Sequence, residues 1–178
     1  MRHRWLITAA VASTLAPSAH YAYAAEFASV ETAQRAAFPA ATVFEPFVVS
    51  ADVKTEIARE AGRFVVSPQI WRVRAGDTAL GWFIVDEVIG KVERITYGVA
   101  LDASGAVKSI DVLVYRESHG DAIRLPAWRA QFTGLRASNP VQLGTDIKNI
   151  SGATLSCRHV TEGVHRLLLL YDRALSHG

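Results

Sequence analysis

The residue pattern predicts an α+β fold, an antiparallel twisted sheet of hairpins packed by helices. Three observations carry this expectation. Apolar residues alternate at the period of strands through four stretches between residues 70 and 115, and short polar turns join them in pairs. Two serine-capped helical patterns come before them. One long stripe at helical spacing closes the chain.

Taken in order, Ser29 is placed to cap a short helix over residues 29–37, in which Val30, Ala33 and Ala37 share a face and Pro39 stops the helix. Ser50 caps a second helix, where Val53, Ile57 and Ala61 recur at spacing four and Gly62 ends the run. Ile70 to Arg74 is the first strand; Ala75-Gly76-Asp77 turns it, and Leu80 to Asp86 returns. Ile95 to Leu101 turns at Asp102-Ala103-Ser104-Gly105 into Val107 to Tyr115, where Ile110, Val112 and Val114 alternate with Asp111 and Leu113. Two successive hairpins favour antiparallel pairing. Residues 116–148 lose periodicity and contain Gly120, Pro126, Gly134, Pro140 and Gly144, a long irregular stretch of the kind that carries function. Val160, Val164, Leu167, Leu168, Tyr171 and Leu175 form the final helical stripe.

The start of the chain reads as an export signal. Arg2, His3 and Arg4 are followed by an uncharged stretch from Trp5 to Pro17, and Ala22-Tyr23-Ala24 offers small residues for cleavage after Ala24. That apolar stretch is shorter than the roughly 20 residues a membrane-spanning helix needs. The organisation expected is therefore a cleaved signal at 1–24, an N-terminal helical region at 25–68 packing on the sheet, and the main domain at 69–178. The mature protein is expected to be soluble and exported, for example to a periplasm.

Charge then excludes one class of function. The chain has 19 Lys+Arg against 17 Asp+Glu, and the two arginines of the signal account for the difference. A formally neutral mature chain without a clustered basic face does not read as a nucleic-acid binder. A single cysteine, Cys157, permits no intrachain disulfide, so packing must supply the stability.

The segment with most chemistry in it is Ser151-Gly152-Ala153-Thr154-Leu155-Ser156, at the entry to the last helix. Small residues admit a ligand close to the backbone, Gly152 permits a tight turn, and the helix behind offers unpaired amides and the positive end of its dipole. Phosphate suits such a place. The plainer alternative is that Ser151 or Thr154 simply caps the helix.

Ser151-Gly152-Ala153-Thr154, with a hydroxyl at 156, resembles the attachment motif of the FMN-binding domain family, which includes flavin-carrying subunits of the sodium-pumping quinone reductase and of Rnf-type complexes. The likeness extends, in order, over about residues 70–174. Gly81-Trp82-Phe83 falls in a first hairpin and Asp102 with Gly105 in the turn of a second. Tyr115-Arg116-Glu117-Ser118-His119-Gly120 and Gln131-Phe132-Thr133-Gly134 follow. The resemblance implies FMN joined by a phosphoester to Thr154, attached by an exported flavin transferase with FAD as donor. Ser151, Gly152, Ala153, Leu155 and Ser156 would surround the attachment point, and Glu117, Ser118, His119 and Gly120 would line the flavin pocket. One position departs from the family pattern: Lys148 stands three residues before Ser151, where an acid is usual, and Asp146 lies two residues earlier.

The function these implications favour is an exported electron carrier working between a membrane-bound redox partner and an extracytoplasmic acceptor. A small flavin-dependent reductase of an external molecule or ferric complex is the first alternative, and a flavin-free interaction module the second. Covalency suits export, because a flavin lost outside the cytoplasm is not replaced from an internal pool. Trp128 and Phe132 read as core, with stacking on a ring as the alternative. Cys157 and His159, two apart on a helix, point too far apart to share a metal ion. Lys91 and Glu93 read as a solvated loop, and His165 and His177 as helix-surface residues.

Overall fold

A computed structural model describes residues 25–177 of the chain; the export signal expected at 1–24 lies outside the described residues. Six strands form one antiparallel sheet: β1 (Ala25–Glu26), β2 (Val43–Phe47), β3 (Gln69–Ala75), β4 (Thr78–Ile89), β5 (Arg94–Asp102) and β6 (Val107–Tyr115). Their spatial order is β1-β6-β5-β4-β3-β2. The α+β class and the two hairpins predicted from the sequence, β3–β4 and β5–β6, are present. Between them β4 pairs with β5 over Gly81–Ile89, joined by a tight turn at Gly90–Glu93.

Both faces of the sheet are covered, and for this reason β4 is buried without interruption from Gly81 to Asp86. One face, carrying Val73, Phe83, Val85, Ala100 and Leu113, receives Ala33, Ala37 and Phe38 from α1 (Val30–Ala37) and the residue after it. The other carries Ile70, Trp82, Ile84, Val99, Leu101, Ile110 and Val112. Against it lie Ile57 of α2 (Ala51–Ala61) and the long helix α4 (Thr154–Leu170). α4 buries Val160, Val164, Leu167 and Leu168 of the stripe read from the sequence, together with Cys157, and continues as one π turn through Tyr171–Leu175. Each such leucine withdrawn from water stabilises the fold by about 1.5–3 kcal/mol.

The stretch read as helical between residues 25 and 68 also contributes two strands. β1 pairs Ala25 and Glu26 with Tyr115 and Val114, and β2 extends the sheet beside β3 from Val43↔Arg74 to Phe47↔Ile70. Pro46 sits in this edge strand, where the missing amide donor is tolerated. The irregular stretch after β6 is held in place by what it buries. A 3₁₀ turn at Asp121–Arg124, the four-residue α3 (Pro126–Arg129) and a second 3₁₀ turn at Ala130–Phe132 insert Ile123, Trp128 and Phe132 into the core. Val141 and Ile147 anchor the remainder. Trp128 and Phe132 pack edge to face with ring centroids 5.1 Å apart, inside the core.

Candidate functional site

The first residue of α4 is Thr154, and the residue before it, Ala153, is an N-cap that offers no side-chain hydrogen bond. The contrast with the other helices is direct. Ser29 accepts from the amide of Thr32 to cap α1, and Ser50 from that of Val53 to cap α2. Neither Ser151 nor Thr154 does this for α4, although both are adjacent, so the capping alternative is not realised. The first amide of α4 to find a carbonyl one turn back is that of Cys157, bonded to Ala153 at 2.8 Å. The preceding amides of the first turn have no such carbonyl and form the positive end of a helix dipole of about half a charge.

The turn leading into α4 keeps this end open. Ala153 donates to the carbonyl of Ile150 at 3.0 Å, and Gly152 has φ +84° with nothing within 4 Å of where a Cβ would lie. Thr154 is exposed, and its Oγ1 accepts from the side-chain amide of Asn149 at 2.9 Å. Asn149 therefore orients the hydroxyl oxygen, a role that no spacing rule in the sequence signalled. Lys148 is fixed through its backbone, its amide donating to Gln131 Oε1 (2.8 Å) and its carbonyl accepting from Trp128 Nε1 (2.9 Å). Trp128 thus supports the turn that leads into α4. Asp146 closes its own turn by accepting from the amide of Gln142 at 3.0 Å.

Residues forty positions apart meet here. A cleft of about 490 Å³ is lined on one side by Gly152, Ala153, Thr154, Leu155 and Ser156, and on the other by Glu117, Ser118 and His119. Tyr115 joins the two walls: its hydroxyl lies 2.6 Å from the carbonyl of His119, to which it donates, and 3.1 Å from Ser156 Oγ. Burial pushes the Tyr115 phenol above its ordinary value, against the hydrogen bond to Ser156, so it remains a donor. Gly120 closes the corner at φ +91°, where a Cβ would come within 2.8 Å of the Tyr115 hydroxyl and 3.1 Å of Ser156 Oγ. Ser118 Oγ and His119 Nδ1 are 2.9 Å apart on the exposed rim.

The third wall was missed in the sequence. Lys91 and Val92, in a turn read as solvated, also line this cleft. The Glu117 carboxylate accepts from the amides of Val92 (2.6 Å) and Glu93 (2.9 Å). Partial burial acts to raise the Glu117 pKa, but the amides of Glu93, Val92 and Lys91 and the Lys91 charge outweigh it and hold the carboxyl below its ordinary value. Only the β5–β6 register, with Ile95 opposite Tyr115, brings this turn to the end of β6, and no local pattern encodes that register. Cys157 and His159 are separated as expected: Cys157 is a buried thiol that burial pushes up, whereas His159 Nδ1 lies 3.0 Å from the carbonyl of Gly90. Of the two histidines read as surface residues, His177 is exposed, while His165 is half-buried in a second cleft beside Val141 and Arg158.

The family model of the FMN-binding domain matches residues 90–169. Every residue lining the cleft, from Lys91 to Ser156, lies inside that range, whereas β3 and β4 precede it. No curated protein matches the chain.

Proposed function

Taking as premise that residues 90–169 are an FMN-binding domain and the chain a flavin-binding protein, we propose that FMN is held covalently, by a phosphoester on Thr154 Oγ1, and that the protein is an exported electron carrier. One observation carries the reading: an exposed threonine hydroxyl at the uncapped start of α4, opening into the cleft that also gathers Glu117, Ser118 and His119. A phosphodiester placed there faces free amides and the helix dipole, worth about 0.3–1 kcal/mol for an exposed anion.

The attachment chemistry suits the geometry. With FAD as donor, Thr154 Oγ1 attacks the phosphorus on the FMN side of the pyrophosphate. The new O–P bond forms as the P–O bond to AMP breaks, AMP leaves, and the hydroxyl proton goes to solvent or to a base of the transferase. Asn149, donating to Oγ1 at 2.9 Å, leaves that proton directed elsewhere and the oxygen held in place. The exposure of Thr154 and Leu155 suits access by an exported transferase. Gly152 and Ala153 keep side chains out of the phosphate's approach, and Ser156, turned inward, links the attachment turn to Tyr115. Flavin supplies one- and two-electron transfer when bound. The chain's own residues hold it, orient it and leave the cleft open along one side, as exchange with a membrane-bound donor and an extracytoplasmic acceptor requires. Lys148, in the place of the usual acid, adds a positive charge three residues from Ser151.

The test is the mass of the Thr154 peptide from protein exported by a host that contains a flavin transferase. FMN less one water is expected on the wild-type peptide and on none from Thr154→Ala, with the variant still folded. A flavin-labelled Thr154→Ala protein would refute the attachment site, and an unlabelled wild type would refute covalent attachment.

A further inference from the structure

The turn between β4 and β5 is gripped from two directions. From the end of β6, Glu117 accepts the amides of Val92 and Glu93 at 2.6 and 2.9 Å. From α4, His159 Nδ1 meets the carbonyl of Gly90 at 3.0 Å, one helical turn beyond Leu155. The fit is close: a Cβ on Gly90 would lie 2.7 Å from Glu117 Oε1 and 3.1 Å from Ile95 Cδ1. Within the turn, the Gly90 amide donates to the carbonyl of Glu93 at 2.8 Å. These restraints carry no apolar burial of their own. Instead they hold Val92 72% exposed in the cleft that Leu155, itself 41% exposed, also lines. Two bare aliphatic side chains facing one cleft suit the two sides of a flat apolar ring, and Lys91 adds an ammonium at the same edge.

We propose that Glu117 and His159 are positioning residues: they latch the Gly90–Glu93 turn as a wall of the flavin cleft, so that Val92 packs on the ring and Lys91 stabilises the charge it gains on reduction. The inference rests on the flavin reading above. A flavin ring that takes up two electrons and one proton acquires one net negative charge, and a cation fixed beside it favours that state. The lysine side chain is long and flexible, so its effect depends on a rigid backbone beneath it. Glu117, which lines the cleft, therefore acts through Lys91 and Val92, as an acceptor for their turn.

The test uses the full flavin-loaded chain and two variants, Lys91→Gln and Glu117→Ala, with amide hydrogen exchange and a dithionite titration of the midpoint potential. In Glu117→Ala the amides of Val92 and Glu93 are expected to exchange at least tenfold faster, with the core strands unchanged. Lys91→Gln is expected to lower the midpoint potential. Glu117→Ala is expected to lower it too, although deleting a carboxylate near a flavin would by charge alone raise it; that sign separates positioning from direct electrostatics. A raised or unmoved potential in Glu117→Ala, an unmoved one in Lys91→Gln, or unaltered exchange at Val92 and Glu93, overturns the latch and leaves the flavin reading standing. Absence of FMN from the wild-type protein overturns both.

Discussion

At the scale of single residues, the two glycines of the site separate conformational from steric cost. Gly152 and Gly120 both have positive φ, +84° and +91°. A Cβ at Gly152 meets nothing within 4 Å, so Gly152→Ala pays only for a left-handed backbone, about 1–2 kcal/mol. At Gly120 the same Cβ would displace the Tyr115 hydroxyl and Ser156 Oγ, the bonds that hold the two walls of the cleft together. Gly120→Ala is therefore expected to be the costlier by at least about 1 kcal/mol, the scale of a lost hydrogen bond. Urea midpoints of the two variants decide this, and equal midpoints would mean that the Tyr115–Ser156 contact contributes nothing. Glu117, Ser118, His119 and Thr154 were legible as neighbours only through the family resemblance, since nothing local in the sequence joins positions so far apart. Asn149 and Lys91 were not legible at all. The first acts by a side-chain hydrogen bond across a turn, the second through the register of the β5–β6 hairpin.

Among the elements, those with strong periodicity or a cap were readable: α1 and α2 begin after the predicted serines, and β3 to β6 cover the predicted strand stretches, although the expected alternation fails at the end of β6, where Leu113 is buried and Val114 packs in the same cluster. β2 escaped because Val43–Phe47 contains Pro46 and buries neither face fully, leaving no alternation to see. β1 is two residues long and exists only by pairing with β6. The entry to α4 falls where the Ser151–Ser156 segment placed it, and of its two readings the capping one is not realised, since that helix end has no side-chain cap. α4 also contains Gly163 in mid-helix, where Gly→Ala ordinarily stabilises by about 1 kcal/mol. Here a Cβ would lie 2.2 Å from the Tyr97 hydroxyl and 3.0 Å from Val88 Cγ1. Tyr97 is fully buried and fixed by a 2.8 Å bond to Asp86, so it has no room to yield. Overpacking wins over helix propensity, and Gly163→Ala is expected to destabilise by about 1–3 kcal/mol. A rise in thermal midpoint for that variant would show that α4 can move away from the sheet.

On the scale of the whole molecule, α4 lines the candidate cleft at one end and is tied to the sheet by a buried charge pair toward the other. Arg166, 5% exposed, reaches Asp86, 0% exposed, at 3.4 Å, and Tyr97 donates to the same carboxylate oxygen. The guanidinium also lies 5.1 Å over the ring of Phe64, which joins the segment after α2 to the cluster. Asp86 Oδ1 and Arg166 Nε have no hydrogen-bond partner among the described residues, so the pair is incompletely satisfied and contributes orientation more than net stability. Its two halves fail differently. Asp86→Ala leaves a guanidinium that cannot lose its proton, and a loss of about 3–5 kcal/mol is expected. Arg166→Met leaves a carboxyl that can be neutralised. Burial already raises the Asp86 pKa above its ordinary 3.8, with Arg166 the main opposing influence, so removing Arg166 raises it further. A carboxyl whose folded pKa is raised binds its proton more tightly in the folded state. Its stabilising contribution is complete below the unfolded value and is lost as pH rises through the folded one. Arg166→Met is therefore expected to recover stability relative to wild type as pH falls from 7 toward 4, whereas Asp86→Ala has no such carboxyl to protonate and should not. Urea midpoints at pH 7 and pH 5 check this, and parallel shifts in the two variants would mean that Asp86 does not take up a proton when its partner is removed.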